Sequence, residues 1–341
     1  MNTKTLFKRL AENNTFLISS HQNIDGDGLG SMLAINSMLR KIGKKTCMLY
    51  DGSIPYFYRF LPEIENIIFY EEYEQGNSCC DWDVFVVVDC SNPERLGRVD
   101  QFRKKVPIVV NIDHHPDNHG YGTMNYTDYT CPSSSLMIYQ LVKEADIALD
   151  NNLATYIMTG FITDTGGFQF VELESGLLSI MNELIKAGAS VATIMRYVFK
   201  YRRFEALKLL GKALDNMKYS AQYHYALTYL TRQDFIECNS LEEDVEGIVD
   251  YGLHISDAEI SVFLKEIDSG LFKVSLRSQG RINVLPIAHH FGGGGHFKAA
   301  GFKLAGNLPQ VISRVNDFLK NYLENKNTTL IPQSETYPVT E

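Results

Sequence analysis

Four short apolar runs set the architecture of the first half of the chain: TFLISS (15–20), KTCMLY (45–50), VFVVV (84–88) and VPIVVNI (106–112). Each has the length of a strand, and VFVVV has no polar residue to turn toward water. A strand that is apolar on both faces belongs in a parallel sheet covered by helices on both sides. Helical periods follow at 29–41, 134–144 and 153–163. Strands alternating with helices in this way imply an α/β fold with a doubly wound parallel sheet.

The second half reads differently. Residues 188–190 and a helical stretch over 202–217 mark a passage, followed by a strand at 222–230 and a helix at 241–253. A hairpin turns at Asp268-Ser269-Gly270 between 259–267 and 271–277, and an amphipathic helix closes the fold at 308–323. At roughly 100–200 residues per domain, 341 residues make two. The expected division is 1–190, a helical linker at 191–217, a smaller α/β domain at 218–325, and a frayed tail at 326–341.

Composition excludes several classes. With 45% hydrophobic and 21% charged residues, the chain is neither collagen-like nor disordered. No apolar run approaches the roughly 18–20 residues of a membrane span, and the only apolar run near the N-terminus, Phe16-Leu17-Ile18, is too short for a secretory signal. The expected location is the cytoplasm, with no membrane partner. The six cysteines form no C-x-x-C pair and read as small buried hydrophobes; Cys79-Cys80 is the one cluster, and it is read the same way. A net charge of −9 argues against capture of long duplex nucleic acid. It leaves room for a local anion site, because residues 269–303 contain no acid but five cations: Lys273, Arg277, Arg281, Lys298 and Lys303.

The chemistry gathers where strands end. After the first strand comes His21-Gln-Asn-Ile-Asp25-Gly-Asp27-Gly-Leu-Gly30. A dinucleotide-binding reading fails because the glycines at 26, 28 and 30 have the wrong spacing, and two carboxylates stand where a pyrophosphate needs bare N–H groups. A calcium loop starting at Asp25 fails because its twelfth residue is Asn36. Asp89 ends the third strand, Asp113-His114-His115 ends the fourth, and Asp164 ends a helical run. The carboxyl ends of strands in such a sheet line one crevice. An aspartate after a strand is commonly a turn or cap residue; five converging carboxylates are a different matter. At an effective dielectric of about 20, each close pair repels by about 4 kcal/mol. Divalent cations relieve that repulsion, and carboxylate and imidazole donors without thiolates suit Mn²⁺, with Mg²⁺ or Co²⁺ as alternatives. Two cations about 3.5–4 Å apart would activate water and clamp a phosphoryl group.

These blocks, H-x3-D-x-D, a lone Asp after a strand, Asp-His-His and a later Asp, resemble those of the DHH phosphoesterase superfamily. The likeness continues at Ser275-Leu-Arg277-Ser and at Phe291-Gly292-Gly293-Gly294-Gly295-His296-Phe-Lys-Ala-Ala-Gly301, which resembles the glycine-rich motif of the DHH-associated C-terminal domain. It spans about residues 1–325 and is nearest to the NrnA-like subgroup of nano-RNases and 3′-phosphoadenosine-5′-phosphate (pAp) phosphatases. The resemblance implies that His21 and Asp25 bind one Mn²⁺, that Asp27, His114 and Asp164 bind the other, and that Asp89 bridges both. It further implies that His115 faces the scissile phosphate and that Asp113 orients such imidazoles. Residues 1–190 become the metal-binding catalytic domain and 218–325 the substrate-binding domain.

On the substrate side, Gly292 to Gly295 let backbone N–H groups approach an anion, while His296 and Arg277 add side-chain donors. Arg95, just after Asp89, either contacts phosphate or ties down its turn. Ser133-Ser134-Ser135 after Pro132 reads as a helix cap, and His289-His290 as packing residues.

The expected activity is Mn²⁺-dependent hydrolysis of very short oligonucleotides, of pAp, or of both. A metal-bridged hydroxide attacks a phosphate held between the two domains. Alternatives are a phosphodiesterase for cyclic or linear dinucleotides, an exopolyphosphatase or pyrophosphatase, and, in another class, a non-catalytic nucleotide sensor. Processive degradation of long strands is disfavoured by the net charge, and a homodimer is left open.

Overall fold

Alternate residues of the central strands face opposite sides of the sheet. Phe16, Ile18, Val84, Val86 and Val88 join one buried cluster, while Leu17, Leu49, Phe85 and Val87 join another on the opposite face. The computed structural model describes residues 1–75 and 81–326, and it divides into two compact units, Met1–Tyr201 and Arg202–Glu341. Cys79-Cys80 and residues 327–341 lie outside the described residues.

The first unit is built on a six-stranded sheet of β1 (Thr15–Ser19), β2 (Lys45–Tyr50), β3 (Ile67–Phe69), β4 (Val84–Val88), β5 (Ile108–Asp113) and β6 (Met124–Thr127). All neighbours are parallel and the order is β3-β2-β1-β4-β5-β6. The helices are α1 (Thr3–Ala11), α2 (Gly26–Lys41), α3 (Tyr70–Gln75), α4 (Ser134–Glu144), α5 (Asn151–Asp164), α6 (Ser175–Lys186) and α7 (Val191–Met195). The chain winds outward from β1 in one direction and from β4 in the other, which opens a crevice at the carboxyl ends of these two strands. The Ser20 hydroxyl, donating to the carbonyl of Val88 at 2.9 Å, ties those ends together.

Helix α2 begins at Gly26, three residues earlier than its apolar period suggests, so Asp25 is its cap and Asp27 lies in its first turn. The glycines that invite a nucleotide-binding reading serve packing instead. A Cβ at Gly26 would lie 2.4 Å from Thr163, and one at Gly30 2.5 Å from the carbonyl of Tyr156, both on α5. Such contacts let α2 and α5 pack backbone to backbone.

The second unit carries a mixed sheet in the order β11-β12-β10-β9-β8-β7, made from β7 (Lys218–Ser220), β8 (Tyr225–Leu230), β9 (Ile260–Asp268), β10 (Leu271–Ser278), β11 (Gly294–Gly295) and β12 (Ala299–Ala305). Only β8 and β9 pair in parallel. Its helices are α8 (Phe204–Asp215), α9 (Arg232–Cys238), α10 (Leu285–His290) and α11 (Leu308–Lys326). The expected hairpin is β9–β10, with Gly270 at φ +69° in its turn. The expected helix over 241–253 is two short 3-10 stretches, Glu242–Val245 and Ile248–His254, because Gly247 at φ +80° breaks the run. Among the described residues, no single helix is long and apolar enough to cross a membrane.

Candidate metal and phosphate sites

The crevice between β1 and β4 collects the clustered residues. His21, only 2% exposed, follows β1; its Nε2 lies 3.5 Å from Asp89 Oδ2 and 3.8 Å from Asp25 Oδ2. His114 Nε2 lies 3.2 Å from Asp164 Oδ2 and 3.7 Å from Asp89 Oδ1. Two ligand sets result, His21–Asp25–Asp89 and Asp27–His114–Asp164, each with donor atoms within 4.8 Å of one another. A third, Asp89–His114–His115, overlaps both. Asp89 therefore stands between the sets.

Each side chain is aimed by backbone. Asp25 caps α2, accepting from the N–H groups of Asp27 and Gly28. Asp27 receives the N–H groups of Ser134 and Ser135 at 2.6 and 3.0 Å, so the start of α4 grips both its oxygens. The expected cap holds as well, since Ser133 accepts from Leu136 N–H; Ser134 also donates its hydroxyl to Asp89 Oδ1 at 3.1 Å. Asp89 adopts φ +52°, a left-handed conformation tolerated mainly by Asn, Asp and Gly and enriched at functional sites. Asp164 ends α5, where the helix dipole disfavours a carboxylate and favours a cation.

The imidazoles are oriented in the same way. Nδ1 of His21 lies 2.8 Å from the carbonyl of Gln22, and Nδ1 of His114 lies 3.2 Å from that of Cys131. A carbonyl can only accept, so Nδ1 carries a proton and Nε2 is the ring nitrogen turned to the crevice, presenting its lone pair when the ring is neutral. Nε2 of His21 is buried with no hydrogen-bond partner among the described residues. Asp113, fully buried, accepts from His115 Nδ1 at 2.7 Å and from Asn118 Nδ2 at 2.6 Å.

Burial pushes the carboxyls of Asp27 and Asp164 well above their ordinary range, and repulsion from Asp89 adds to it. Burial also opposes ionisation of Asp89, but His21, His115 and His114 beside it hold its carboxyl below the ordinary range. For His115, burial lowers the imidazole, yet Asp113 and the charges of Asp89 and Asp164 prevail and raise it to about 10. Crowded carboxylates next to a buried imidazole lone pair without a partner fit divalent cations, which would neutralise the former and use the latter.

Sequence reasoning missed Asn118 and the carbonyls of Gln22 and Cys131. Asn118 sits in a polar turn that any such residue could occupy, and a carbonyl has no signature in the side-chain alphabet. Arg95 is exposed, and its backbone carbonyl accepts the N–H of Gln22 at 2.6 Å. Cys90, Cys131 and Cys238 are buried free thiols, and burial pushes Cys90 and Cys131 up to about 12.

In the second unit, Arg277 on β10 pairs in register with Ala299, whose carbonyl accepts the N–H of His296 at 2.7 Å. Arg277 and His296 thus flank one residue of β12. Arg277 Nε lies 3.5 Å from Asp250 Oδ1. Gly294 and Gly295 pair with Gly301 and Ala300. A Cβ at Gly293 would lie 2.1 Å from the carbonyl of Gly301, and one at Gly295 2.5 Å from that of Ala299; at Gly294 it would meet nothing within 4 Å. Gly293 and Gly295 are therefore required by the neighbouring strand, and Gly294 borders open space. His290 stacks on Phe318 at 4.0 Å, a packing role.

Comparison with known proteins agrees with this layout. The model of the DHH family, N-terminal domain, matches residues 15–161, and the DHHA1 domain model matches residues 235–323. The chain is 29% identical over 310 residues to the bifunctional oligoribonuclease and PAP phosphatase NrnA of Thermus thermophilus, covering 90% of this chain and 89% of the relative. It is 25% identical over 299 residues to the protein of the same name from Bacillus subtilis, covering 87% and 91%. The crystal structure of an exopolyphosphatase-related protein from Bacteroides fragilis superposes with a TM-score of 0.88 at 27% identity, covering 95% of this chain and 97% of that one. Matched by both domain models, in order and on the units that hold the two clusters, the chain carries a DHH N-terminal domain and a DHHA1 domain and is a hydrolase of the phosphodiesterase/phosphatase kind.

Proposed function

We propose that the protein is a Mn²⁺-dependent phosphoesterase that hydrolyses very short oligonucleotides, pAp, or both. The observation that carries this reading is the pair of ligand sets with Asp89 between them. Two divalent cations, when bound, would supply charge for the phosphoryl oxygens and a lowered pKa for the attacking water. His21, Asp25 and Asp89 would hold one, and Asp27, His114 and Asp164 the other, with Asp89 shared. The donor set contains no thiolate, which favours Mn²⁺, Mg²⁺ or Co²⁺ over zinc.

The remaining residues act on substrate. Asp113 holds the Nδ1 proton of His115 and keeps the ring charged, so Nε2–H is available to donate to a phosphoryl oxygen. Arg277, His296 and the backbone of Gly292 to Gly295 would bind a phosphate remote from the reacting one, with Arg95 as a further contact. Residues 1–190 would be the catalytic domain and 218–325 the substrate domain, in a cytoplasmic enzyme. The names of the Thermus thermophilus and Bacillus subtilis relatives support the choice of substrate. The name of the Bacteroides fragilis structure gives a reason to test polyphosphate as a second reading.

The test is a Mn²⁺-supplemented panel of an RNA dinucleotide, pAp, a cyclic dinucleotide and polyphosphate, with products resolved by chromatography. Turnover of the dinucleotide or pAp, abolished by a chelator, is expected. Turnover of polyphosphate alone, or of nothing with any divalent cation, overturns the reading.

A further inference from the structure

Strand β2 contributes none of the clustered carboxylates or imidazoles, yet its end holds the loop that carries His21 and Asp25. Tyr50 Oη accepts the N–H of Ile24 at 3.0 Å, and Asp51 Oδ2 accepts from Gln22 Nε2 at 3.1 Å. From the other side, the carbonyl of Arg95 accepts the N–H of Gln22 at 2.6 Å. Asp51 is 5% exposed and is itself fixed by Arg98, whose N–H reaches Oδ2 at 2.7 Å and whose Nε reaches Oδ1 at 2.9 Å. Arg98 also pairs with Glu71. The clamp is tight enough to dictate the residue at Gly97, where φ is +59° and a Cβ would lie 2.3 Å from both Asp51 Oδ2 and Gln22 Nε2.

What this clamp immobilises is the Gln22 peptide, whose carbonyl is the partner of His21 Nδ1. We propose that Gln22 and Asp51 are positioning residues for His21. By holding that carbonyl they select the ring tautomer that leaves the Nε2 lone pair facing Asp89 and Asp25. Without the clamp the carbonyl drifts, the ring samples the other tautomer, and an N–H points where a ligand atom is needed. Partners one step removed from a ligand commonly change metal affinity by about 10–100-fold. The inference rests on the metal reading for its second readout only.

Gln22→Ala leaves the Asp51–Arg98 pair in place, Asp51→Asn weakens the grip on Gln22, and thermal unfolding checks that both remain folded. Long-range ¹H–¹⁵N NMR of the metal-free protein reads the His21 ring directly. The wild type is expected to keep a proton on Nδ1 at any pH at which the ring is neutral, and the variants to show Nδ1 and Nε2 averaged between the two tautomers under the same conditions. Calorimetric titration with Mn²⁺ is then expected to show one cation weakened by about 10–100-fold in Gln22→Ala and the other unchanged. Altered ring nitrogens with no Mn²⁺ bound by any form would uphold the clamp and remove the metal reading. A His21 ring in Gln22→Ala indistinguishable from wild type, or both cations bound with wild-type affinity, overturns the proposal. Should Asp51→Asn unfold, Gln22→Ala decides alone.

Discussion

The two units arrange their candidate residues in opposite ways. In the first, His21, Asp27, Asp89, Asp113 and His114 are all buried, and every one is aimed by a hydrogen bond to backbone or to a neighbouring side chain. Such an arrangement costs stability in the absence of a counter-charge, because burial and repulsion from Asp89 both act against the carboxylates of Asp27 and Asp164. In the second, Arg277, Gly294 and His296 sit half-buried around β12, and the carboxylate of Asp250 faces the Arg277 guanidinium at 3.5 Å. The contrast separates the labour expected of a phosphoesterase. On the proposed reading, most of the groups that meet the reacting phosphate are buried and preorganised, with Asp25 at the exposed rim, whereas those assigned to a remote phosphate sit half-buried in the other unit.

The sharpest way to break this comparison is Asp89→Asn. Asparagine keeps the shape and tolerates φ +52°, so backbone strain does not confound the result as it would with alanine. The carboxylate that stands between the two ligand sets is lost. We expect kcat to fall by about 10³-fold or more on every substrate, with thermal unfolding confirming that the variant still folds, since the relief of repulsion on Asp27 and Asp164 is offset by the loss of the imidazoles' attraction for Asp89. Retention of near wild-type kcat with Mn²⁺ would show that Asp89 is not the shared ligand.

How much of this was legible in the sequence follows the same division. The parallel sheet was readable because VFVVV has no solvent face, and the helix over Ser134–Glu144 because its apolar period is clean. Edge strands Ile67–Phe69 and Met124–Thr127 were not, since they are three and four residues long and carry no alternation. The clustered residues could be picked out because acids after apolar strands are conspicuous. The spacing of the glycines of α2 excludes dinucleotide binding, but their packing role at Gly26 and Gly30 is not legible, because it depends on α5, a segment more than a hundred residues away. The strand order, which puts the end of β1 beside the end of β4, depends equally on long-range pairing.

Arg277→Ala and His296→Ala test the other side of the comparison. Both should raise KM for a dinucleotide by about 10-fold with a smaller fall in kcat if, as proposed, they bind a group remote from the reaction. Steady-state kinetics at saturating Mn²⁺ separates the two parameters. A pure kcat effect in both variants would move these residues into the reacting site and erase the distinction between the units.

The smallest expected effect concerns the glycine run, where two neighbouring substitutions should part company. At Gly293 a new Cβ would lie 2.1 Å from the carbonyl of Gly301 and 2.5 Å from Phe302 Cβ, so β12 must shift to admit it. Overpacking of that kind costs about 1–3 kcal/mol. At Gly294 the new Cβ meets nothing within 4 Å and φ is not in the left-handed region, so Gly294→Ala should leave the urea midpoint nearly unchanged, within about 0.5 kcal/mol. Its effect on KM then reports only whether a ligand approaches that open face. A raised KM with unchanged stability would place substrate against Gly294. An unchanged KM in Gly294→Ala, together with a loss in Gly293→Ala that tracks its lost stability, would mean that this glycine run serves strand packing alone.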